Sequence, residues 1–361
     1  MQPDLKVAFF GYCRTRYDEP RRSANDHPGS AAALREQYVV TPFRILAIDG
    51  GGIRGVIPTI WLAEIMKTLD NPSPEQCFDL VVGTSTGSLV ASAFSLNMKL
   101  DECISLYDRF GPIIFTQDAL GYYEKWKIFD KFFEPQYPAI NLEDSLIKVF
   151  SDSTSLKECK VKLLIPAYDT FSRRMFLFKS YDDSTNDLKV WEACKASSSA
   201  PTYFPAHIQE IDGIRRPLID GGVFANNPAI LGLAEAIKIM NKDSASEFEE
   251  ERKIVLISLG TGSLQRRIEA SDAEKWGPIQ WVRPLIDVLF DGTAELSHMC
   301  AQHIVRTENY VRMQVSLSGV SDDLDDATER NLSLLKTIAQ DHLQSDDGLR
   351  QIDQIIKLLR N

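Results

Sequence analysis

Residues 78–94 read FDLVVGTSTGSLVASAF. An apolar, β-branched run (Leu80, Val81, Val82) enters Gly83-Thr84-Ser85-Thr86-Gly87, and small, helix-favouring residues from Ser88 to Phe94 leave it. The pattern is strand, tight turn, helix. In a G-x-S-x-G turn the serine is forced into a strained backbone conformation, and glycine at 83 and 87 lets strand and helix approach with no Cβ between them. Ser85 Oγ is thereby lifted clear of the sheet. It stands at the first turn of the helix, whose positive end favours negative charge on an attacked oxygen. Ser85 is therefore a candidate nucleophile; a Gly/Ser/Thr loop that matches the spacing by chance is the competing reading.

Upstream, Arg44-Ile45-Leu46-Ala47-Ile48 reads as a buried strand, followed by Asp49-Gly50-Gly51-Gly52-Ile53-Arg54-Gly55 and a helical segment from Val56 to Leu69. Three consecutive glycines at a strand-to-helix junction present bare N–H groups suited to negative oxygen. The loop lacks the lysine and hydroxyl of a G-x-x-x-x-G-K-[ST] phosphate loop and does not fit G-x-G-x-x-G. One β-α unit before a nucleophilic serine it is better explained as an oxyanion hole, with Arg54 fixing the loop or a substrate phosphate. A purely structural glycine turn is the alternative.

Downstream, Tyr122, Trp126, Phe129 and Phe133 fall on one helical face flanked by Lys125, Lys127 and Lys131, either as core or as a lid at a lipid boundary. Strands are expected at Lys162 to Ala167 and Met175 to Lys179, a short helix at Trp191 to Ala196, and a rigid small-residue loop at Ser197 to Pro205. Arg216-Pro217-Leu218-Ile219 leads into Asp220-Gly221-Gly222, a carboxylate at a strand end with two glycines that allow close approach. A further buried strand ends at Gly260-Thr261-Gly262, and helical patterning runs from Trp281 to Asn309. Strands alternating with helices indicate an α/β fold: a mostly parallel central sheet with helices on both faces, reacting groups gathering at the strand C-terminal ends. No linker divides residues 42–361, so they read as one catalytic domain preceded by a polar arm at 1–41 that carries Arg14, Arg16, Arg21 and Arg22.

The 361 residues carry 51 acidic and 40 basic side chains, a net charge of −11, which argues against a DNA or RNA polymer as partner. Six scattered cysteines without a C-x-x-C pair point to a reducing compartment. With no signal-like start and no apolar run of about 20 residues, a cytoplasmic protein that visits a membrane surface is expected.

Ser85 needs a base. His298 and His303 lie downstream of Asp220, as a Ser-acid-His order would require, but in a helical stretch with no strand-to-loop setting, and His207 precedes Asp220. DGGGIRG, GTSTG and DGG in that order, with KASSSAPTYFPA, VFANNPA, SLGTG and LDDATERNL, resemble the patatin-like phospholipases. The resemblance covers Arg44 to about Asp341 and implies a three-layer α/β/α fold. It also implies a Ser-Asp dyad of Ser85 and Asp220, with no histidine, metal or cofactor. Gly50, Gly51 and Gly52 would form the oxyanion hole, supported by Arg54; Gly83 and Gly87 would flank the elbow, and Gly221 and Gly222 would support Asp220. The implied activity is acyl hydrolysis of glycerophospholipids. A carboxylate can serve as base because a dry pocket raises its pKa.

Within the family, the opening FRILAIDGGGIRG is similar to bacterial phospholipase effectors of cyclic-nucleotide anti-phage systems. That similarity implies a cyclic di- or oligonucleotide activator, a homo-oligomeric state as one bistable element, and action at the inner membrane. The arginines open to such a ligand are those of the arm, Arg173-Arg174 or Arg266-Arg267. A constitutive lipid acyl hydrolase of the plant storage type and a non-catalytic lipid- or nucleotide-binding module are the alternatives.

Overall fold

The computed structural model describes residues 41–116, 134–211, 213–243, 252–263 and 266–360. The arm expected at 1–41 (Thr41 apart) and the Tyr122 to Phe133 stripe lie outside the described residues. Strand β1 (Phe43–Ile48) leads through a 3-10 turn at Gly52–Gly55 into helix α1 (Val56–Thr68), followed by α2 (Pro74–Cys77), β2 (Leu80–Gly83) and α3 (Thr86–Ser95). Two helices not singled out in the sequence, α4 (Leu100–Ile114) and α5 (Ala139–Phe150), precede strands β3 (Lys162–Asp169) and β4 (Arg174–Lys179). Next come α6 (Val190–Ser197), β5 (His207–Ile211), β6 (Ile214–Asp220), α7 (Gly222–Ala225) and α8 (Ala229–Asp243). The chain continues with β7 (Ile254–Leu259), α9 (Ala270–Ala273), α10 (Pro278–Ile304), β8 (Tyr310–Met313), α11 (Glu329–Gln344) and α12 (Asp346–Arg360).

Among the described residues eight strands form one sheet in the order β5-β6-β3-β2-β1-β7-β8, with β4 also paired to β3. The run β3-β2-β1-β7-β8 is parallel, and β4, β5 and β6 join through antiparallel pairs. Both faces of the sheet are covered, which explains why the central strands β1, β2 and β7 carry runs of successive buried residues rather than alternating ones. In β1, Leu46 and Ile48 join the larger core beneath α1, α3, α11 and α12, whereas Phe43, Ile45 and Ala47 pack with Leu233 and Ala236 of α8 and Ala301 of α10 on the other side. Trp61 of α1 is fully buried, and its indole N–H donates to the Ala339 carbonyl of α11 at 3.0 Å, so the largest core side chain leaves no polar atom unpaired.

The sheet forks at β3. One edge of β3 pairs with β4 along Leu164 to Asp169. The other pairs with β2 over Lys162 to Leu164 and with β6 over Ala167 to Asp169. Between those two ladders sits Pro166, whose carbonyl accepts a 2.6 Å hydrogen bond from Ser197 Oγ of α6. The register decides what meets at the fork: Val82 is level with Leu164, so Ser85, three residues on, comes level with Ala167, which pairs with Asp220.

Candidate active site

Ser85 adopts φ +52° and ψ −125° and is the N-cap of α3. That conformation is costly for a residue with a side chain and survives only where the surroundings fix it. They do so by close approach: a Cβ on Gly83 would lie 2.2 Å from the Gly87 carbonyl oxygen, and one on Gly87 would lie 2.3 Å from that of Ile48. The Ser85 N–H donates to Ser197 Oγ at 2.9 Å, and Thr84 Oγ1 donates to the Ala225 carbonyl at 2.7 Å, tying both sides of the turn down.

Asp220 ends β6 and is fully buried. Its Oδ2 accepts from Ser85 Oγ at 2.7 Å and its Oδ1 from the Gly222 N–H at 2.7 Å. Gly221 has to be glycine here, because a Cβ would meet the Pro166 carbonyl oxygen at 2.4 Å. Burial pushes the Asp220 carboxyl up to about 7, and the two hydrogen bonds offset only part of that rise. The strand that delivers this carboxylate runs antiparallel to β3, so Asp220 reaches Ser85 from the opposite chain direction to that of an added parallel strand.

The glycine loop lies against the same turn: a Cβ on Gly50 would fall 3.2 Å from Ser85 Cβ. The Gly50 N–H is already spent on the Asn226 carbonyl at 2.9 Å, which narrows the three expected oxyanion donors to two. Gly51 and Gly52 keep their N–H groups without a partner among the described residues. Gly52 sits at φ +57°, where a Cβ would meet the Leu324 carbonyl oxygen at 2.1 Å. Arg54 is buried; its Nε donates to the Gly51 carbonyl at 3.2 Å, while one terminal guanidinium nitrogen has no partner. Burial holds its pKa below the usual arginine range.

Two supports escaped the sequence reading. Ser197 bridges the Ser85 N–H to the Pro166 carbonyl, at the point where the sheet forks. Arg312 of β8 grips Asp49, the residue before the glycines, through NH1 to Oδ1 at 2.8 Å and NH2 to Oδ2 at 2.5 Å, and also donates to Ser258 Oγ at 2.8 Å. A buried Asp49 demands such a partner. Arg312, the lone charge in the run Tyr310-Val311-Arg312-Met313, was the available signal.

The described histidines are engaged elsewhere. His298 Nδ1 lies 2.8 Å from the Tyr310 hydroxyl, His303 Nδ1 lies 2.7 Å from the Met299 carbonyl, and His207 pairs with Gln209 and is pushed down to about 4 by burial. Among the described residues no group of three or more His, Cys, Asp or Glu side chains is placed to hold a metal ion. Ser85 and Asp220 open onto a cavity, lined almost wholly by carbon, that runs between α3, α4 and α5 past Leu89, Phe110 and Leu146. A serine hydroxyl hydrogen-bonded to a buried carboxylate, two open N–H donors and an apolar channel make up an acyl-transfer site in an α/β fold.

The patatin-like phospholipase family model matches residues 46–233, from β1 into α8. Patatin-like protein 2 of Arabidopsis thaliana is 30% identical over 327 residues, covering 81% of this chain and 80% of that protein. Patatin-like protein 3 of the same plant is 30% identical over 372 residues, covering 89% and 85%. The crystal structure of VipD from Legionella pneumophila covers 88% of this chain and 67% of its own, at 11% identity and a TM-score of 0.41, a likeness too loose to add to the sequence match. The chain belongs to the patatin-like phospholipase family and is a serine acyl hydrolase.

Proposed function

We propose that Ser85 and Asp220 are the dyad of a phospholipase A-type enzyme that cleaves acyl esters of membrane glycerophospholipids. The observation that carries this reading is the 2.7 Å hydrogen bond from Ser85 Oγ to a fully buried Asp220 at the head of the apolar cavity. In the ester attack Asp220 takes the Ser85 proton as Oγ bonds to the acyl carbon, and the oxyanion forms toward the Gly51 and Gly52 N–H groups. The carbonyl re-forms, the lysophospholipid alkoxide leaves with the proton from Asp220, and the acyl chain remains on Ser85 along the cavity. Water then gives its proton to Asp220 and attacks the acyl carbon; Ser85 recovers its proton as the fatty acid leaves.

Ser85→Ala and Asp220→Asn are each expected to lower phospholipid hydrolysis by about 10³-fold or more with the fold retained, whereas His298→Ala and His303→Ala keep most of it. A folded His298→Ala or His303→Ala enzyme as inactive as Asp220→Asn would instead favour a histidine base.

A second layer of the proposal is restraint. Ser85 and Asp220 stand within hydrogen-bond distance, and the proposed restraint acts on access to their cavity. The similarity of the opening motif to anti-phage effectors supports a cyclic di- or oligonucleotide as the switch, acting at the inner membrane. Of the core candidates, Arg266 is neutralised by Asp287, Asp322 and Asp323, whereas Arg173, Arg174 and Arg267 are exposed. Conversion from 1:99 to 99:1 would take about 5.5 kcal/mol of preferential binding. Fatty-acid release from vesicles at increasing cyclic di- and trinucleotide concentration tests this layer; full activity without any nucleotide would leave a constitutive acyl hydrolase.

A further inference from the structure

Helix α10 has two working faces. Its inner row packs inward through Ile286, Phe290, Ser297 and Ala301, all buried, and Phe290 walls the cavity that holds Ser85 and Asp220. About a third of a turn round the same helix, Val282, Leu285, Leu289, Leu296 and Met299 form a second row, and Ile279 stands in the first turn. These six apolar side chains are between 38% and 73% exposed. Large apolar side chains left exposed along one flank of a helix mark a candidate interaction site. At the N-terminal end of the row Trp276 and Trp281 stack edge to face with ring centroids 5.2 Å apart, the residue type that settles at a headgroup boundary.

The row shares a helix with the wall of a cavity whose substrate resides in a bilayer, so its occupant has to bring the cavity to lipid. Charge narrows the lipid. Asp291 and Glu295 are exposed beside the row, and the chain as a whole carries −11, which repels anionic headgroups and leaves a zwitterionic surface. We propose that this flank of α10, with Ile279 and the tryptophan pair, docks the enzyme on a zwitterionic phospholipid bilayer. The purpose of docking rests on the phospholipase reading; the docking itself is measurable without turnover.

The experiment uses the full chain in the Ser85→Ala background, sedimented with phosphatidylcholine vesicles. Leu285→Ser with Leu296→Ser, and separately Val282→Ser with Met299→Ser, are expected to lower vesicle binding tenfold or more, because each pair removes two apolar anchors. Tryptophan emission should shift to the blue with vesicles, less so after Trp276→Phe with Trp281→Phe. With Ser85 restored, both double variants should hydrolyse a soluble short-chain ester at the unaltered rate. Unchanged vesicle binding overturns the proposal. So does loss of a dimer with vesicle binding intact, which would assign the row to a second copy of the chain. If unaltered enzyme binds vesicles through this row yet releases no fatty acid, the phospholipid reading fails and the docking surface stands.

Discussion

At residue scale, a carboxylate with a pKa near 7 has opposite effects on catalysis and stability. As the proposed base, Asp220 must be ionised to accept the Ser85 proton, so kcat/KM on a soluble ester should fall as pH drops through about 7, following one group. Stability runs the other way. In the unfolded chain the carboxyl ionises near 3.8, while in the folded protein it holds its proton to about 7; between those limits the folded state binds more protons, and stability decreases as pH rises. A rate independent of pH down to 5 would contradict Asp220 as base. The strained φ of +52° at Ser85 belongs to the same economy: Gly83 and Gly87 admit close backbone approach so that one hydroxyl stands free.

At the scale of elements, the parts legible in the sequence were those encoded locally. The elbow, the glycine loop and the Asp220 turn each occupy a few consecutive residues, and β1, β2 and β7 are short apolar runs that periodicity identifies. Arg312 was not legible as a site residue because its partner, Asp49, lies 263 residues away and only the sheet order, with β7 between β1 and β8, brings the two together. The β5-β6 hairpin was missed although Asp-Gly at 212–213 is a turn signal in the sequence; Gly213 takes φ +71°. Helices α4 and α5 line the acyl channel through one face each, and which face is inward depends on packing rather than on any motif. Because the glycine loop hangs from Asp49, Arg312→Gln should destabilise the fold by about 3 kcal/mol, leaving a buried carboxylate unpaired, and adding Asp49→Asn should recover part of that loss. Denaturant midpoints of the two single variants and the double variant check this; strictly additive losses would mean that the pair is not coupled.

For the whole molecule, one sheet organises both chemistry and access. Its fork at β3 places Ser85 and Asp220 level with each other, and α10 carries the wall of their cavity on one side and an exposed apolar row on the other. Among the described residues no helix is long and apolar enough to cross a membrane. The aromatic stripe at Tyr122 to Phe133, read as core or as a lid at a lipid boundary, lies outside the described residues, and α10 offers an independent candidate surface, distinguishable by the substitutions above. The central claim is that the acyl group passes through Ser85 with Asp220 as its base. Its most direct test is to mix enzyme with phospholipid, quench in acid within a turnover and locate the added acyl mass by peptide sequencing. The account predicts the adduct on the Gly83 to Gly87 peptide at Ser85, sharply reduced by Asp220→Asn. An adduct on any other residue, or an undiminished one in Asp220→Asn, would contradict it.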